Sequence, residues 1–88
     1  MHDFDDRRLF ERVRAFEWHE EKRLANLRIH QIDFEDARRI FDRPLLARRS
    51  DRMGELRYMV FGFLDEKKVV VICTFRGEKC RLLSARTA

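Results

Sequence analysis

The stretch that decides the fold is residues 56–86, LRYMVFGFLDEKKVVVICTFRGEKCRLLSAR. Its first nine residues are rich in aromatic and β-branched side chains. Residues 69–76 are almost continuously apolar, as expected of a central strand buried on both faces. Residues 79–86 follow the two-residue loop Gly77–Glu78, whose leading glycine suits a type II′ hairpin turn. The longer loop is 65–68, and the whole stretch predicts a three-stranded antiparallel meander.

Helical periodicity precedes the meander. Residues 3–15 predict a short helix with acidic residues in its first turn. A second helix is predicted from His19 to Ile29, and a third begins at Asp33, a good N-cap, and stops at Pro44. Leu45–Arg49 follows as a short strand. The predicted fold class is therefore α+β, with N-terminal helices packed on a small antiparallel sheet.

The length and composition of the chain exclude several classes of protein. A chain of 88 residues makes one domain, and 44% apolar with 41% charged residues excludes a disordered tail and a membrane protein. The longest apolar run, Val69–Cys73, is too short to span a bilayer. The first residues, MHDFDDRR, contain no apolar run, so they are not expected to act as a signal peptide. Two cysteines, Cys73 and Cys80, predict no disulfide framework and no zinc site. We expect a cytoplasmic protein without a cofactor.

Positive charge is concentrated in the second half of the chain. Residues 1–43 contain 10 Lys or Arg against 11 Asp or Glu, whereas residues 44–88 contain 10 against 5. Such a basic half suggests an anionic partner, and ordinary solubility is the alternative.

The loop lengths predict a register for the meander. A four-residue loop would place Arg57 opposite Arg76, and the two-residue turn would place Arg76 opposite Lys79. Residues that face each other share one side of the sheet. The cluster predicted at one end of that side is Arg57, Thr74, Arg76, Lys79 and Arg81, with Glu55 nearby. Like charges facing each other are unfavourable unless they are solvated or bind an anion, and arginine suits a phosphate.

Both faces of the sheet carry apolar residues and need cover. The two central helices can cover one face. The N-terminal helix, a second copy of the chain or a partner protein would have to cover the other.

Several strings resemble a known family. They are FEWHEEKRLANLRIH (16–30), DFEDARRIFDRP (33–44), GELR (54–57) and TFRGEKCRLLSAR (74–86). Together and in this order they resemble the BrnT family, the toxin half of a bacterial type II toxin–antitoxin pair. The resemblance divides the chain into an N-terminal extension, 1–15, and a toxin domain, 16–88. The chain departs from the family pattern at His19, Gln31 and Arg43.

The resemblance implies a RelE-like fold and a metal-independent ribonuclease. It also implies neutralisation by a BrnA-like antitoxin, contact with operator DNA only through that antitoxin, and a homodimer within the complex. No contact with a membrane is expected. The predicted catalytic residues are Glu55, Arg57, Arg76 and Arg81. The predicted RNA-binding residues are Lys22, His30, Lys79 and Arg86.

Cleavage of RNA without a metal uses the ribose 2′-OH as the nucleophile, and it needs a base, an acid and cations near the phosphate. The three arginines are candidates for the cations, Glu55 for the base, and His30 or Lys22 for the second proton carrier. Each has a structural alternative. Glu55 can simply pair with Arg57, and His30 can end a helix where the dipole favours an imidazolium. A non-catalytic module that binds the antitoxin as a co-repressor remains the second hypothesis.

Overall fold

The computed structural model of the chain describes Phe10, Val13 and residues 15–88. The predicted helix over residues 3–15 therefore lies almost wholly outside the described residues, and the boundary of the extension stays a prediction. Ala15 belongs to a strand and not to a helix.

The protein has an α+β fold in which two helices and a 3-10 segment accompany a five-stranded sheet. In chain order the elements are β1 (Ala15–Glu17), α1 (Glu20–His30), α2 (Phe34–Ala37), the 3-10 segment (Arg38–Asp42), β2 (Leu46–Arg49), β3 (Tyr58–Leu64), β4 (Lys67–Arg76) and β5 (Lys79–Thr87). The strands are ordered β1-β5-β4-β3-β2 across the sheet. Strands β2 to β5 pair antiparallel, but β1 pairs parallel to β5. The prediction of a purely antiparallel sheet is therefore wrong at β1.

Single residues determine where α2 begins and how the chain turns between β4 and β5. Asp33 caps α2 because its side chain accepts a hydrogen bond from the Glu35 amide at 2.9 Å. Gly77 has a φ of +63°, as the first position of a type II′ turn requires, and the predicted pairs Arg76–Lys79 and Thr74–Arg81 are confirmed.

The register predicted between β3 and β4 is wrong by two residues. Leu64 pairs with Lys67, so the connecting turn contains Asp65 and Glu66 alone. Asp65 has a φ of +58°, a left-handed conformation that aspartate tolerates better than most side chains. Lys67 and Lys68 consequently extend β4, and Arg57 does not lie opposite Arg76.

One face of the sheet, the core face, is covered by α2, the 3-10 segment and Phe10. Its fully buried side chains include Val60, Val71, Cys73 and Leu82. A bulge between Ile72 and Cys73 shifts the pairing with β5. Ala85 therefore lies on the core face opposite Val71. Tyr58, opposite Cys73, also lies there, away from the arginines.

Phe10, the first described residue, packs its ring against three aromatic residues. Its ring lies 5.5 Å from the ring of Phe41, 5.6 Å from Tyr58 and 5.2 Å from Phe75. These residues belong to the core, so Phe10 does not cover the opposite face. On that opposite face, which we call the open face, Leu46 is 58% exposed and Phe63 46%. The strand residues of the open face are Ala15, Glu17, Leu46, Arg48, Met59, Phe61, Phe63, Lys68, Val70, Ile72, Thr74, Arg76, Lys79, Arg81, Leu83, Ser84 and Arg86.

Gly62 is required by a close approach of the 3-10 segment to β3. A Cβ at this position would lie 2.9 Å from the Cβ of Ile40, which is fully buried. We expect Gly62→Ala to lower the free energy of unfolding by about 1–3 kcal/mol, because the 3-10 segment must move off the sheet. Urea denaturation would measure the loss. Gly54→Ala is a poor control because Gly54 has a positive φ. Ser50→Ala, at the groove of the open face, should change stability much less.

Among the described residues, no helix is long and apolar enough to cross a membrane. Cys73 and Cys80 are buried free thiols. The hydrogen bond between them and their burial raise the pKa of the Cys73 thiol, so the residue behaves as a small hydrophobe, as predicted.

Candidate functional site

Helix α1 is fixed to the edge of β5 by a buried side chain. The Asn26 amide nitrogen donates to the Ala85 carbonyl at 2.7 Å and to the Ile32 carbonyl at 2.9 Å. The Ala85 amide donates back to Asn26 Oδ1 at 3.0 Å. Asn26 thus occupies the hydrogen-bonding edge of β5 as a neighbouring strand would, and it brings His30, one turn further along α1, to the border of the open face.

A groove of about 430 Å³ lies on the open face beside His30. Its floor is apolar, and its rim carries three arginines. The residues that line it are His30, Ser50, Arg52, Arg57, Met59, Ile72, Leu83, Ser84 and Arg86. No acidic side chain is among them, so the groove favours an anion.

A tight hairpin shapes one wall of the groove. Arg52 and Glu55 exchange two backbone hydrogen bonds of 2.9 Å, and Met53 and Gly54 between them have φ values of +53° and +81°. Positive φ at both positions is the signature of a type I′ turn. The hydroxyl of Thr74 donates to the Leu56 carbonyl at 2.6 Å and ties the end of this hairpin to β4.

Arg57 leaves this hairpin with one side of its guanidinium already engaged. Its Nε donates to Glu55 Oε1 at 2.6 Å. Among the described residues, its two Nη groups have no hydrogen-bond partner, and Arg57 lines the groove with its side chain 30% exposed. Glu55 therefore orients the fork of Arg57, while the Nη groups stay available for a bidentate contact.

A second group of charged residues lies further along the open face. Glu17 on β1 pairs with Arg81 on β5, and Arg81 Nε donates to Glu17 Oε2 at 2.8 Å. Arg81 Nη1 also lies 2.8 Å from His19 Nε2, which must accept because a guanidinium has only donors. Arg76 Nε lies 3.9 Å from the same carboxylate.

The predicted site residues thus divide into three sets. Arg57, Arg86 and His30 meet at the groove, and Glu55 adjoins it through Arg57. Arg76 and Arg81 are held by Glu17 outside the groove lining. Lys22 and Lys79 are exposed and line no part of the groove.

Three participants were missed from the sequence. Glu17 was missed because β1 has only three residues and pairs with a strand more than sixty positions away. His19 was not among the predicted site residues, yet it contacts Arg81. Arg52 lines the groove because it begins the tight hairpin. Gly54, at the second turn position, is the residue in the sequence that indicates this hairpin.

The ion pair of Glu17 makes stability depend on pH. The hydrogen bond from Arg81 lowers the pKa of Glu17 despite the opposing effect of partial burial, and the nearby charges of Arg81, Arg76 and Lys79 lower it further. A lowered folded-state pKa stabilises the protein above the ordinary range of glutamate, and that stabilisation is lost as the pH falls through the folded-state value. We expect Glu17→Gln to be less stable than the wild type at pH 7, with the difference shrinking towards pH 3. Urea denaturation across this range measures it. The exposed Glu78→Gln is the control, and a difference for Glu17→Gln that stays constant with pH would contradict the assignment.

Among the residues that the structure describes, no three His, Cys, Asp or Glu side chains converge to hold a metal ion. The groove instead offers guanidinium groups, hydroxyl groups and one imidazole.

Comparison with known families accounts for most of the chain. Residues 18–88 match the model of a family described as the ribonuclease toxin, BrnT, of type II toxin–antitoxin systems. That description names RNA as the target and an antitoxin as the partner. A comparison with curated proteins gives no match. Because the family match covers well over half of its length, the chain belongs to the BrnT family of ribonuclease toxins.

Proposed function

We propose that the chain is an endoribonuclease that cleaves RNA in the groove of the open face by attack of a ribose 2′-OH, without a metal ion. The observation that carries the proposal is the convergence of Arg52, Arg57 and Arg86 with His30 around one groove that has no acidic lining residue. Such a set supplies both the positive charge and the proton carrier that the reaction needs.

In the proposed reaction the 2′-oxygen bonds to the adjacent phosphorus while the bond from phosphorus to the 5′-oxygen breaks. His30 takes the proton of the 2′-OH, because an imidazole nitrogen with a free lone pair can accept a proton. Arg57 and Arg86 stabilise the negative charge that develops on the phosphoryl oxygens. The leaving 5′-oxygen takes up a proton from solvent, and the products carry a 2′,3′-cyclic phosphate and a 5′-hydroxyl.

The other predicted residues take supporting roles in this proposal. Because Glu55 forms an ion pair with Arg57, we assign Glu55 to orienting the guanidinium and not to the role of base. Arg76 and Arg81, neutralised in part by Glu17, would contact phosphates further along the RNA. Lys22 and Lys79 would add long-range attraction for the polyanion.

The partner we propose is a BrnA-like antitoxin, which would neutralise the toxin and carry the complex, with the toxin as a homodimer, to operator DNA. The proposed compartment is the cytoplasm. A RelE-like fold is supported by the helices that precede the four consecutive antiparallel strands β2 to β5.

The experiment is incubation of the purified protein with RNA in the presence of EDTA, beside the same RNA carrying 2′-O-methyl groups. We expect cleavage of the first RNA and none of the second, with cyclic phosphate ends on the products. Intact RNA at high protein concentration would refute the proposal. If such an inactive protein still bound the antitoxin tightly, the co-repressor hypothesis would take its place.

A further inference from the structure

Alternate residues from Arg57, which directly precedes β3, through Phe63 form a line that leads away from the groove. Arg57 and Met59 line the groove, and Phe61 and Phe63 continue the line on the same face. Phe63 is 46% exposed. An aromatic ring left half in water on a sheet face is available to a flat ligand.

Cations flank these two rings on both sides. Arg48 lies on β2 opposite Met59, and Lys68 lies on β4 opposite Phe63. Arg86 lies on β5 opposite Val70, which in turn faces Phe61, and it also lines the groove. Among the described strand residues of the open face, Glu17 alone is acidic, and it lies on β1 at the edge of the sheet. Asp65 and Glu66 lie in the turn that follows Phe63 and Leu64, where Asp65 pairs with Arg39. The strands beside the rings therefore carry cations between the groove and this turn.

The spacing of the rings suits an extended single strand. Residues two apart on a strand are about 7 Å apart. This is roughly twice the rise of about 3.4 Å per nucleotide in one strand of a duplex. Two rings at this spacing match successive bases that are unstacked from each other, and single-stranded nucleic acids bind to aromatic side chains in this way.

From these observations we infer that Phe61 and Phe63 form a base-stacking subsite, which holds the single-stranded RNA that continues from the groove. The inference rests on the proposed function, because it places RNA in the groove. It adds the substrate class, which is RNA with at least two unpaired nucleotides beside the cleaved bond. Phosphates of that segment would contact Lys68 on one side of the rings and Arg48 on the other.

Binding of an RNA that cannot be cleaved tests the inference independently of catalysis. The probe is a fluorescent 2′-O-methyl oligonucleotide, single-stranded or annealed to its complement, titrated with the full chain. We expect Phe63→Leu to weaken binding of the single strand about 5- to 100-fold. Phe63→Tyr, which keeps the ring, should bind like the wild type, and neither variant should change binding of the duplex. Because Phe63 is half exposed, both variants should fold, and circular dichroism would verify this.

The possible outcomes separate the inference from the proposed function. Loss of single-strand binding in Phe63→Leu supports the subsite even if the wild type cleaves no RNA. Unchanged binding overturns the subsite even if cleavage is observed, and so does equal loss for single strand and duplex, or an absence of binding by the wild type. If Phe63→Leu weakens binding of a protein antitoxin and leaves RNA binding intact, the patch belongs to a protein partner and the inference is wrong.

Discussion

Replacement of Asn26 with alanine is expected to lower the free energy of unfolding by about 2–4 kcal/mol, a large part of the stability of a domain this small. Asn26 is 5% exposed, and its side chain makes all three hydrogen bonds that join α1 to the Ala85 backbone and to Ile32. Alanine would leave the amide and carbonyl of Ala85 buried without partners and would open a small cavity. Urea denaturation followed by circular dichroism measures the loss.

Asn26→Asp is the matched variant, because it keeps the shape and the acceptor for the Ala85 amide. It replaces the donor with an oxygen that faces two carbonyls, so we expect a loss at least as large as for alanine. Leu24→Ala, on the same helix and 50% exposed, should cost much less. A change of less than about 0.5 kcal/mol in Asn26→Ala would mean that α1 is held by its other contacts.

The role of Asn26 illustrates what the sequence could and could not predict. The spacing of Lys22, Asn26 and His30, four residues apart, predicts one polar stripe on a helix, and α1 contains all three. The stripe did not reveal that the middle residue is buried against a strand edge. That contact joins residues 59 positions apart, and no local pattern in the chain encodes it.

The sheet shows the same division between local and long-range information. The turn between β4 and β5 was predicted because glycine at the first turn position determines its geometry. The turn between β3 and β4 was predicted at the right place but two residues too long. Asp65 adopts a left-handed conformation that aspartate adopts only occasionally, and Lys67 and Lys68 resemble loop residues. The resulting shift of two residues removed the predicted pairing of Arg57 with Arg76. With the observed register, Arg57 lies at the level of Thr74, beside the groove, and Arg76 lies near the carboxylate of Glu17.

Replacement of Arg57 with alanine is expected to reduce the rate of RNA cleavage by about 100- to 1,000-fold, the usual cost of losing one donor to a developing oxyanion. Arg57 is the groove arginine whose orientation is best defined, because Glu55 holds its Nε at 2.6 Å. Arg57→Lys keeps the charge but loses the fork, so we expect an intermediate loss. The measurement is the single-turnover rate on a short RNA with EDTA present, beside the melting temperature, which should stay close to that of the wild type.

Two further variants show whether the effect is specific to the groove. Lys79→Ala removes an exposed cation outside the groove, and its rate should remain within about threefold of the wild type at moderate salt, since only long-range attraction is lost.

Glu55→Gln keeps a hydrogen-bond acceptor for Arg57 but lacks the charge, so its rate should fall less than that of Arg57→Ala if Glu55 only orients the guanidinium. A fall as deep as that of Arg57→Ala, together with loss of the acidic limb from the pH profile, would instead make Glu55 the base. If Arg57→Ala and Lys79→Ala lowered the rate equally, the arginines would act as a diffuse positive field and the groove would not be the site of cleavage.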